Sequence, residues 1–506
     1  MDWTWKNTGF ATIWRTVLLC LFLAVTGCMY RGYPQYVIEE RQQVPVAPLS
    51  VSRSQPEIVP VRFDANQNKE PVPPSVPKPA SPSGKEGLPA PVTGSGPALT
   101  LDQAINTTLL ADPKIRAGLE NINQAGADLL TSSLRPNPDL TVGATLLPLN
   151  RQFTINQQGG PPQPGADLSY PIDWYLFGKR FAAMASSAAQ VRVTEADYGD
   201  LVRQRVTQAA TTFYDVLQTK ALFDLARQDV ESLRRVEAAT RKAVDAGGRP
   251  VVELNRVRLD VLKSEQDLRD AETALVEAKA NLRGLLGRRD ADPAFDVSGS
   301  LEAALTAQPV TVEEALVLAE QNRPDIRSLR LQIDKAARDV HSERAKAYPS
   351  ITPKVGYLRQ IQQKTNGFPD TNLYEFSVDV TLPVSDRNQG NIAKARSVYA
   401  QNAFNMEAGL VDLRTEIVGV VQEFRTAYQN AGSVAEEQVR LAREVRDAVE
   451  KSFKEGGRSL LEVLDAEKNY RDTYRTYITN RANYWRAAYK YSSAIGQQII
   501  TNDKHP

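Results

Sequence analysis

Cysteine and histidine are almost missing from this 506-residue chain: two cysteines, Cys20 and Cys28, and two histidines, His341 and His505. Cys20 falls in a stretch expected to be removed, which leaves Cys28 as the one mature cysteine. No internal disulfide can then staple the fold. With the histidines far apart and no further thiol, a metal site of the usual His/Cys kind cannot be assembled. Also missing are a Gly-rich phosphate loop ending in Lys-Ser/Thr and any nucleophile–histidine pairing. The reading is therefore no enzyme and no cofactor, with energy for any transport coming from a partner. An excess of one charge is lacking as well, at 61 basic against 60 acidic residues, which argues against a nucleic-acid partner. Past the N-terminus there is no run of 18 apolar residues, so no transmembrane helix is expected. A membrane crossing by this chain has to be a β-barrel.

The N-terminus reads as a targeting segment. Lys6 and Arg15 give a positive start, and Thr16 to Val25 form an apolar stretch too short to span. It ends in Leu23-Ala-Val-Thr-Gly-Cys28. Small residues directly before a cysteine resemble a bacterial lipoprotein signal, cut before Cys28 and lipidated there. The alternative is an ordinary secretory signal with an incidental cysteine. Met29 rather than aspartate after the cysteine fits outer-membrane delivery. Residues 1–27 are thus expected to be a signal peptide and residues 28–97 a lipidated cysteine with a tether. That tether holds 14 of the 31 prolines and no apolar periodicity, so it cannot bury a core.

The body is written twice. Leu101-Asp-Gln-Ala-Ile reads against Val312-Glu-Glu-Ala-Leu, and Asp112-Pro-Lys-Ile-Arg116 against Arg323-Pro-Asp-Ile-Arg327. Pro138 falls on Pro349, Pro171 on Pro383, and Gly247-Gly-Arg249 on Gly456-Gly-Arg458, at offsets of 209 to 212. Such a period is a duplicated half-molecule rather than a solenoid. The expected division is a first repeat over 98–290, a linker over 291–311, a second repeat over 312–498 and a tail over 499–506. Each half carries helix, two strands, two helices.

The helices are unusually long. From about Lys179 to Ala246, and from about Asn391 to Glu455, there is no proline and the pattern stays helical, predicting rods of roughly 100 Å. After each Gly-Gly-Arg comes a heptad: Leu254, Val261, Leu268, Leu275 and Leu282 with companions Val257, Ser264, Ala271, Ala278 and Leu285. Its duplicate is Val463, Tyr470, Tyr477, Tyr484 and Tyr491 with Ala466, Thr473, Asn480, Ala487 and Ala494. A strict seven-residue repeat demands supercoiling against a neighbour. The tyrosine row occupies the seam and reads as packing rather than as a ligand-stacking site.

Between the helices lie alternating strands: Leu140, Val142, Ala144 and Leu146; Leu168, Tyr170 and Ile172; Ile351, Val355 and Tyr357; and Tyr374 to Leu382 with Glu375, Ser377, Asp379 and Thr381 on the opposite face. Apolar-out, polar-in segments of this length mark an outer-membrane barrel, the other reading being an ordinary half-buried sheet. Four strands cannot close around a lumen, and an open edge in lipid is forbidden. The chain must oligomerise, and three copies would supply twelve strands, within the known range.

Duplicated helix–strand–strand–helix–helix halves, a lipidated N-terminus and paired Gly-Gly-Arg tips resemble the TolC-like outer-membrane efflux family, over about residues 98–498. The fold this implies is mainly α with membrane β. Four strands per chain would enter a trimeric 12-stranded outer-membrane β-barrel, continuous with a long periplasmic α-helical barrel and a coiled-coil tip. The implied partners are two further copies of the chain, outer-membrane lipid, a periplasmic adaptor and an inner-membrane pump of the RND type. The implied function is a passive conduit for solutes, with a type I protein secretion channel or a periplasmic coiled-coil adaptor lipoprotein as alternatives. Phe453-Lys-Glu-Gly-Gly-Arg-Ser-Leu-Leu-Glu-Val-Leu-Asp465 looks like the family's inner-hairpin turn. By that resemblance Arg458 helps hold the tip closed, and Glu462 and Asp465 ring the entrance. Phe453 stands where relatives often have tyrosine, so no hydroxyl latch is available there. Gly247, Gly248, Arg249, Gly456 and Gly457 would form the tips that meet the adaptor. Read from the residues alone, Ser459-Leu-Leu-Glu462 is a capping box, so Glu462 is either cap or gate. Asp465, one turn further in, has no such local role. Pro171-Ile-Asp-Trp-Tyr-Leu-Phe-Gly-Lys-Arg180 resembles the cobalt–zinc–cadmium export subgroup; alternatively it is a strand-to-helix corner in which Gly178 and Gly390 permit the bend.

Overall fold

A computed structural model of the chain describes residues 98–147, 153–157, 159–288, 295–305, 310–455 and 457–497. The signal, Cys28, the tether and the tail lie outside them. β1 (Ala98–Leu99) leads into α1 (Leu101–Ala111) and α2 (Pro113–Ser133). β2 (Asp139–Thr145), β3 (Gln163–Ser169) and the short α3 (Asp173–Leu176) follow, then α4 (Lys179–Asp245) and α5 (Val251–Leu285). β4 (Asp296–Val297) opens the return. The second half is α6 (Val312–Asn322), α7 (Pro324–Lys346), β5 (Ser350–Gln360), α8 (Gln363–Asn366), β6 (Thr371–Thr381), α9 (Gln389–Ala431), α10 (Ser433–Lys454) and α11 (Leu460–Ala494).

Local chemistry sets the boundaries. Thr100 and Thr311 build matching capping boxes with Gln103 and Glu314. The expected first helix of each half is in fact two, cut at Asp112–Pro113 and Arg323–Pro324. Each proline takes the first position of the next helix, where its missing N–H is harmless. The 67-residue α4 is the expected rod of about 100 Å. Its counterpart is broken at Gly432, whose backbone is extended. The guanidinium of Arg481 donates to the Ala431 carbonyl at 3.3 Å and to the carbonyls of Leu301 and Ala303 at 2.9 and 2.6 Å. One buried side chain thus satisfies a carbonyl at the break and holds the inter-repeat segment against it. At the corners, Gly178 adopts φ +66° before α4, as expected. In the second half the left-handed residue is Asn388 at φ +57°, while Gly390 is already helical. Asparagine tolerates that conformation, which removes the need for glycine.

The four long strands make one antiparallel sheet in the order β2–β3–β5–β6. A separate parallel pair, β1 with β4, joins the beginnings of the two halves. The register aligns Leu140, Leu168, Val355 and Phe376 in one row, and Val142, Ala166, Tyr357 and Tyr374 in the next. With Val378, Val380 and Leu382 this gives a broad, exposed apolar face. The opposite face carries Thr141, Asp167, Gly356 and Glu375 in one row and Asp139, Ser169, Lys354 and Ser377 in another. Helices repeat the sheet's arrangement. Nearest the sheet they pack as α2–α4–α7–α9, and further away as α5–α4–α11–α9/α10. The core lies around the middle of α4, where Phe213, Val216, Leu282, Phe424, Tyr484 and Tyr491 are fully buried. Tyr484 and Tyr491, both 0% exposed, show the lower tyrosine row to be packing. No helix among the described residues is long and apolar enough to cross a membrane, which says nothing of a barrel.

One charge cluster is inverted between the halves. Asp112 accepts from the Lys114 N–H and pairs with Arg205. Exactly one repeat later, at an offset of 211 for all three, Arg323 pairs with Asp325 and Glu416, each at 2.7 Å. Arg323 is 6% exposed, so its charge depends on those carboxylates. Arg323→Asp alone is expected to destabilise the chain by about 3 kcal/mol, as for an uncompensated buried charge. Adding Asp325→Lys and Glu416→Arg rebuilds the first-half arrangement and should restore most of the loss. Thermal unfolding followed by circular dichroism of the detergent-solubilised protein checks this; a triple variant no more stable than the single would refute it.

Candidate functional site

The helices turn at two tips, and the sequence explains both. After α4, Gly247 takes φ +74°, its N–H donates to Val244 O and that of Gly248 to Ala243 O, both at 2.9 Å. This is a Schellman closure, which favours glycine at the left-handed position. Pro250 then precedes α5. In the second tip Gly457 N–H donates to Ser452 O at 2.8 Å, the equivalent bond. Gly456, its partner in the expected pair, lies outside the described residues.

The two tips touch. The Arg249 guanidinium sits 4.4 Å over the Phe453 ring and bonds Glu253 at 3.0 Å. Behind it Leu233, Val257, Val261 and Leu460 are buried together, with Phe453 and Leu464 packed on them. Phenylalanine supplies an aromatic face where a hydroxyl latch was excluded. Sequence reasoning missed this contact, because nothing in either tip alone says which residue of the other it meets. Arg458 stays within its own turn, donating to Glu462 at 2.6 Å. Ser459 caps α11, accepting from the Glu462 N–H at 3.4 Å, and its hydroxyl donates back to the Glu462 carboxylate at 3.0 Å. Arg458 and Ser459 hold the Glu462 carboxyl below the usual carboxylate range. Ser459 is thus the N-cap read from the sequence, while the Glu462 carboxylate is held by the Ser459 hydroxyl and Arg458, and among the described residues no other helix pairs with it. Asp465 is exposed on the next turn and, among the described residues, accepts from Asn469 alone, at 3.4 Å.

Further from the tip a polar layer interrupts the heptad seam. Asp229, buried on α4, accepts from Ser264 of α5 at 2.7 Å and from Arg471 of α11 at 2.9 Å. One turn away Glu467, also buried, accepts from Ser232 at 2.8 Å. Burial pushes the Glu467 carboxyl above its ordinary range. The Ser232 hydroxyl and the Arg446 charge oppose this, while Asp229 and Glu450 reinforce it. Arg446 lies 4.2 Å over the Tyr470 ring, which explains why this member of the tyrosine row departs from simple packing. Ser264 in an otherwise apolar seam was the one visible sign of this layer.

The polar face of the sheet is the other candidate surface. Lys354 pairs with Asp379 across β5 and β6. The Asp167 side chain lies over Gly356, so closely that a Cβ there would meet its carboxylate at 2.2 Å. Four carboxylates (Asp139, Asp167, Glu375 and Asp379) against one lysine make this face net acidic.

Comparison with known proteins agrees with this architecture. The family model for outer membrane efflux proteins matches residues 104–288 and 315–497, once per half. The chain is similar to the cobalt-zinc-cadmium resistance protein CzcC of Cupriavidus metallidurans, 23% identical over 408 residues, covering 80% of this chain and 92% of that protein. It is also similar to the outer membrane protein TolC of Vibrio cholerae, 22% identical over 380 residues, covering 72% and 83%. Among solved structures it resembles CusC, with a TM-score of 0.64 at 18% identity over 78% of this chain and 92% of that one. The open-state MtrE channel of Neisseria gonorrhoeae gives a TM-score of 0.64 at 17% identity, over 79% and 89%.

Two outcomes test the geometry of the tip region. Because burial raises the Glu467 pKa, its stabilising contribution is complete below the ordinary glutamate value of about 4.3 and is lost as pH rises through the raised value. Glu467→Gln should therefore raise the melting temperature at pH 8 and leave it unchanged near pH 4; an equal effect at both would refute the burial argument. Arg249→Ala should loosen the tip by about 1 kcal/mol, the worth of a partly desolvated cation–π contact, seen as faster amide exchange around Leu460. Unchanged exchange would show that the stacking holds nothing.

Proposed function

The chain belongs to the outer membrane efflux protein family, and from that premise we propose how its parts make a conduit. It is the outer-membrane channel component of an efflux system. Three copies close head to tail, the edge formed by β2, α2 and α5 of one meeting the edge formed by β6, α9 and α10 of the next. The observation that carries this is the open-edged sheet with one exposed apolar face. In support, the edge helices carry unpartnered apolar rows seven residues apart: Phe404, Val411 and Val418 on α9, at 69%, 62% and 47% exposure, and Val252 with Leu259 on α5. Closure puts the apolar sheet face toward lipid and the acidic face around the lumen. A helical adaptor, the rival reading, leaves that sheet unexplained.

In this account Cys28 carries a lipid and anchors the chain to the outer membrane. The tips built on Gly247, Gly248, Arg249, Gly456 and Gly457 meet a periplasmic adaptor, which couples the channel to an inner-membrane pump of the RND type. Asp465 of three chains converges on the narrow entrance and favours cations. Glu462 and Arg458 hold each inner turn in shape, with Arg458 free to exchange its carboxylate partner as the entrance opens. Heavy-metal cations are the substrate class, a reading supported by the relative named for cobalt, zinc and cadmium resistance. The Gly178-Lys179-Arg180 corner supports it as well.

Deleting the gene should sensitise cells selectively to cobalt, zinc or cadmium salts. Sensitivity to dyes, detergents and antibiotics with metals unaffected would instead make it a drug channel. In planar bilayers Asp465→Asn should move the reversal potential in a salt gradient toward zero and weaken block by a trivalent cation roughly tenfold, or about 1.4 kcal/mol. An unchanged reversal potential would remove Asp465 from the entrance.

A further inference from the structure

At the corner where the first half passes from sheet to helix, two guanidiniums converge on one indole. The Arg135 guanidinium lies 5.8 Å and that of Arg180 5.6 Å from the Trp174 ring centroid. The indole N–H donates to Pro171 O at 2.9 Å, and Arg180 Nε donates to Ser133 O at 2.7 Å, which fixes the indole and the Arg180 guanidinium. Neither arginine has a carboxylate partner among the described residues. The nearby acid, Asp173, is taken by Lys179 at 2.7 Å.

The duplication supplies an internal control. The second half makes the same corner without gathering two cations on one ring: its Arg387 donates to Val384 O at 3.3 Å. Lys346, at the position of Arg135, pairs with Glu343 at 2.6 Å, and Asp386 stands where Trp174 does. Asn388 then closes the corner, bonding Glu343 and Asp386. Ile392 takes the place of Arg180. Two unneutralised arginines on a tryptophan are therefore not what the turn requires. Two guanidiniums gathered on one ring without a carboxylate make a site that favours an anion, which both could bond.

Position selects the anion. Ile172, two residues before Trp174, bonds β5 at Ile351 O, at the foot of the sheet whose apolar face reaches this corner. Leu134, Tyr175 and Phe181 are exposed around it. Resting on the reading that the sheet spans the outer membrane, we propose that Arg135 and Arg180, held on Trp174, bind the headgroup phosphate of an anionic phospholipid in the periplasm-facing leaflet. The exposed apolar side chains lie along its acyl chains.

The test titrates the full-length protein in detergent with phosphatidylglycerol and, separately, phosphatidylcholine, read by native mass spectrometry. Arg135→Gln with Arg180→Gln should weaken phosphatidylglycerol retention roughly tenfold and leave phosphatidylcholine unchanged. Arg135→Lys with Arg180→Lys should recover part of it, which separates charge from misfolding. Unchanged phosphatidylglycerol retention, or equal loss of both lipids, overturns the proposal. So does displacement by millimolar inorganic phosphate, which would mark a free-phosphate site. Failure of the wild type to insert into vesicles would instead defeat the spanning reading on which the proposal rests.

Discussion

The outward N–H and C=O groups along β2 and β6 have no partner strand within the described sheet, and lipid offers none. Everything else about this molecule is arranged around that unfilled demand. The sheet has one apolar and one acidic face, and the apolar one is left exposed by the chain's own helices, a surface unsuited to water. Each helical layer is likewise four wide and ends in an edge, α2 or α5 on one side and α9 or α10 on the other. Edges that match around a ring convert a liability into an assembly rule. In the proposed trimer the same closure would enclose a lumen and continue it through the rods.

The duplication is conserved in geometry and free in chemistry. Capping boxes, proline-started helices and glycine tips recur at the same places. The buried ion cluster recurs with its signs reversed, because a pair needs opposite charges but not a particular order of them. The corners diverge further, one closing on Asn388 and acids, the other on Gly178 with spare arginines. Parts that diverge while the backbone stays fixed are where each half acquires a task of its own.

Much of this was legible in the residues. Alternation gave β2, β5 and β6, since lipid on one side and water on the other impose a period of two. Of the residues read for the remaining strand only Leu168 lies in β3, which runs Gln163–Ser169, while Tyr170 and Ile172 continue its bonds to β5 past the strand's end. The heptads gave the seam of α5 and α11. The breaks were less visible: the second rod stops at Gly432, where Arg481, fifty residues past Ala431, donates to the freed Ala431 carbonyl. The Arg249–Phe453 contact and the Asp229–Arg471 layer likewise join residues more than two hundred positions apart. Sequence pattern reports what a residue does for its own element. It does not report which residue of another element it will meet.

The account stands on the two edges meeting between copies. Cysteines placed singly on β2 and on β6 of the same chain, then oxidised in native membranes, test it directly. The account predicts intermolecular bridges in some register whose products stop at three chains. Bridges within one chain only, or a ladder running past three, would contradict it.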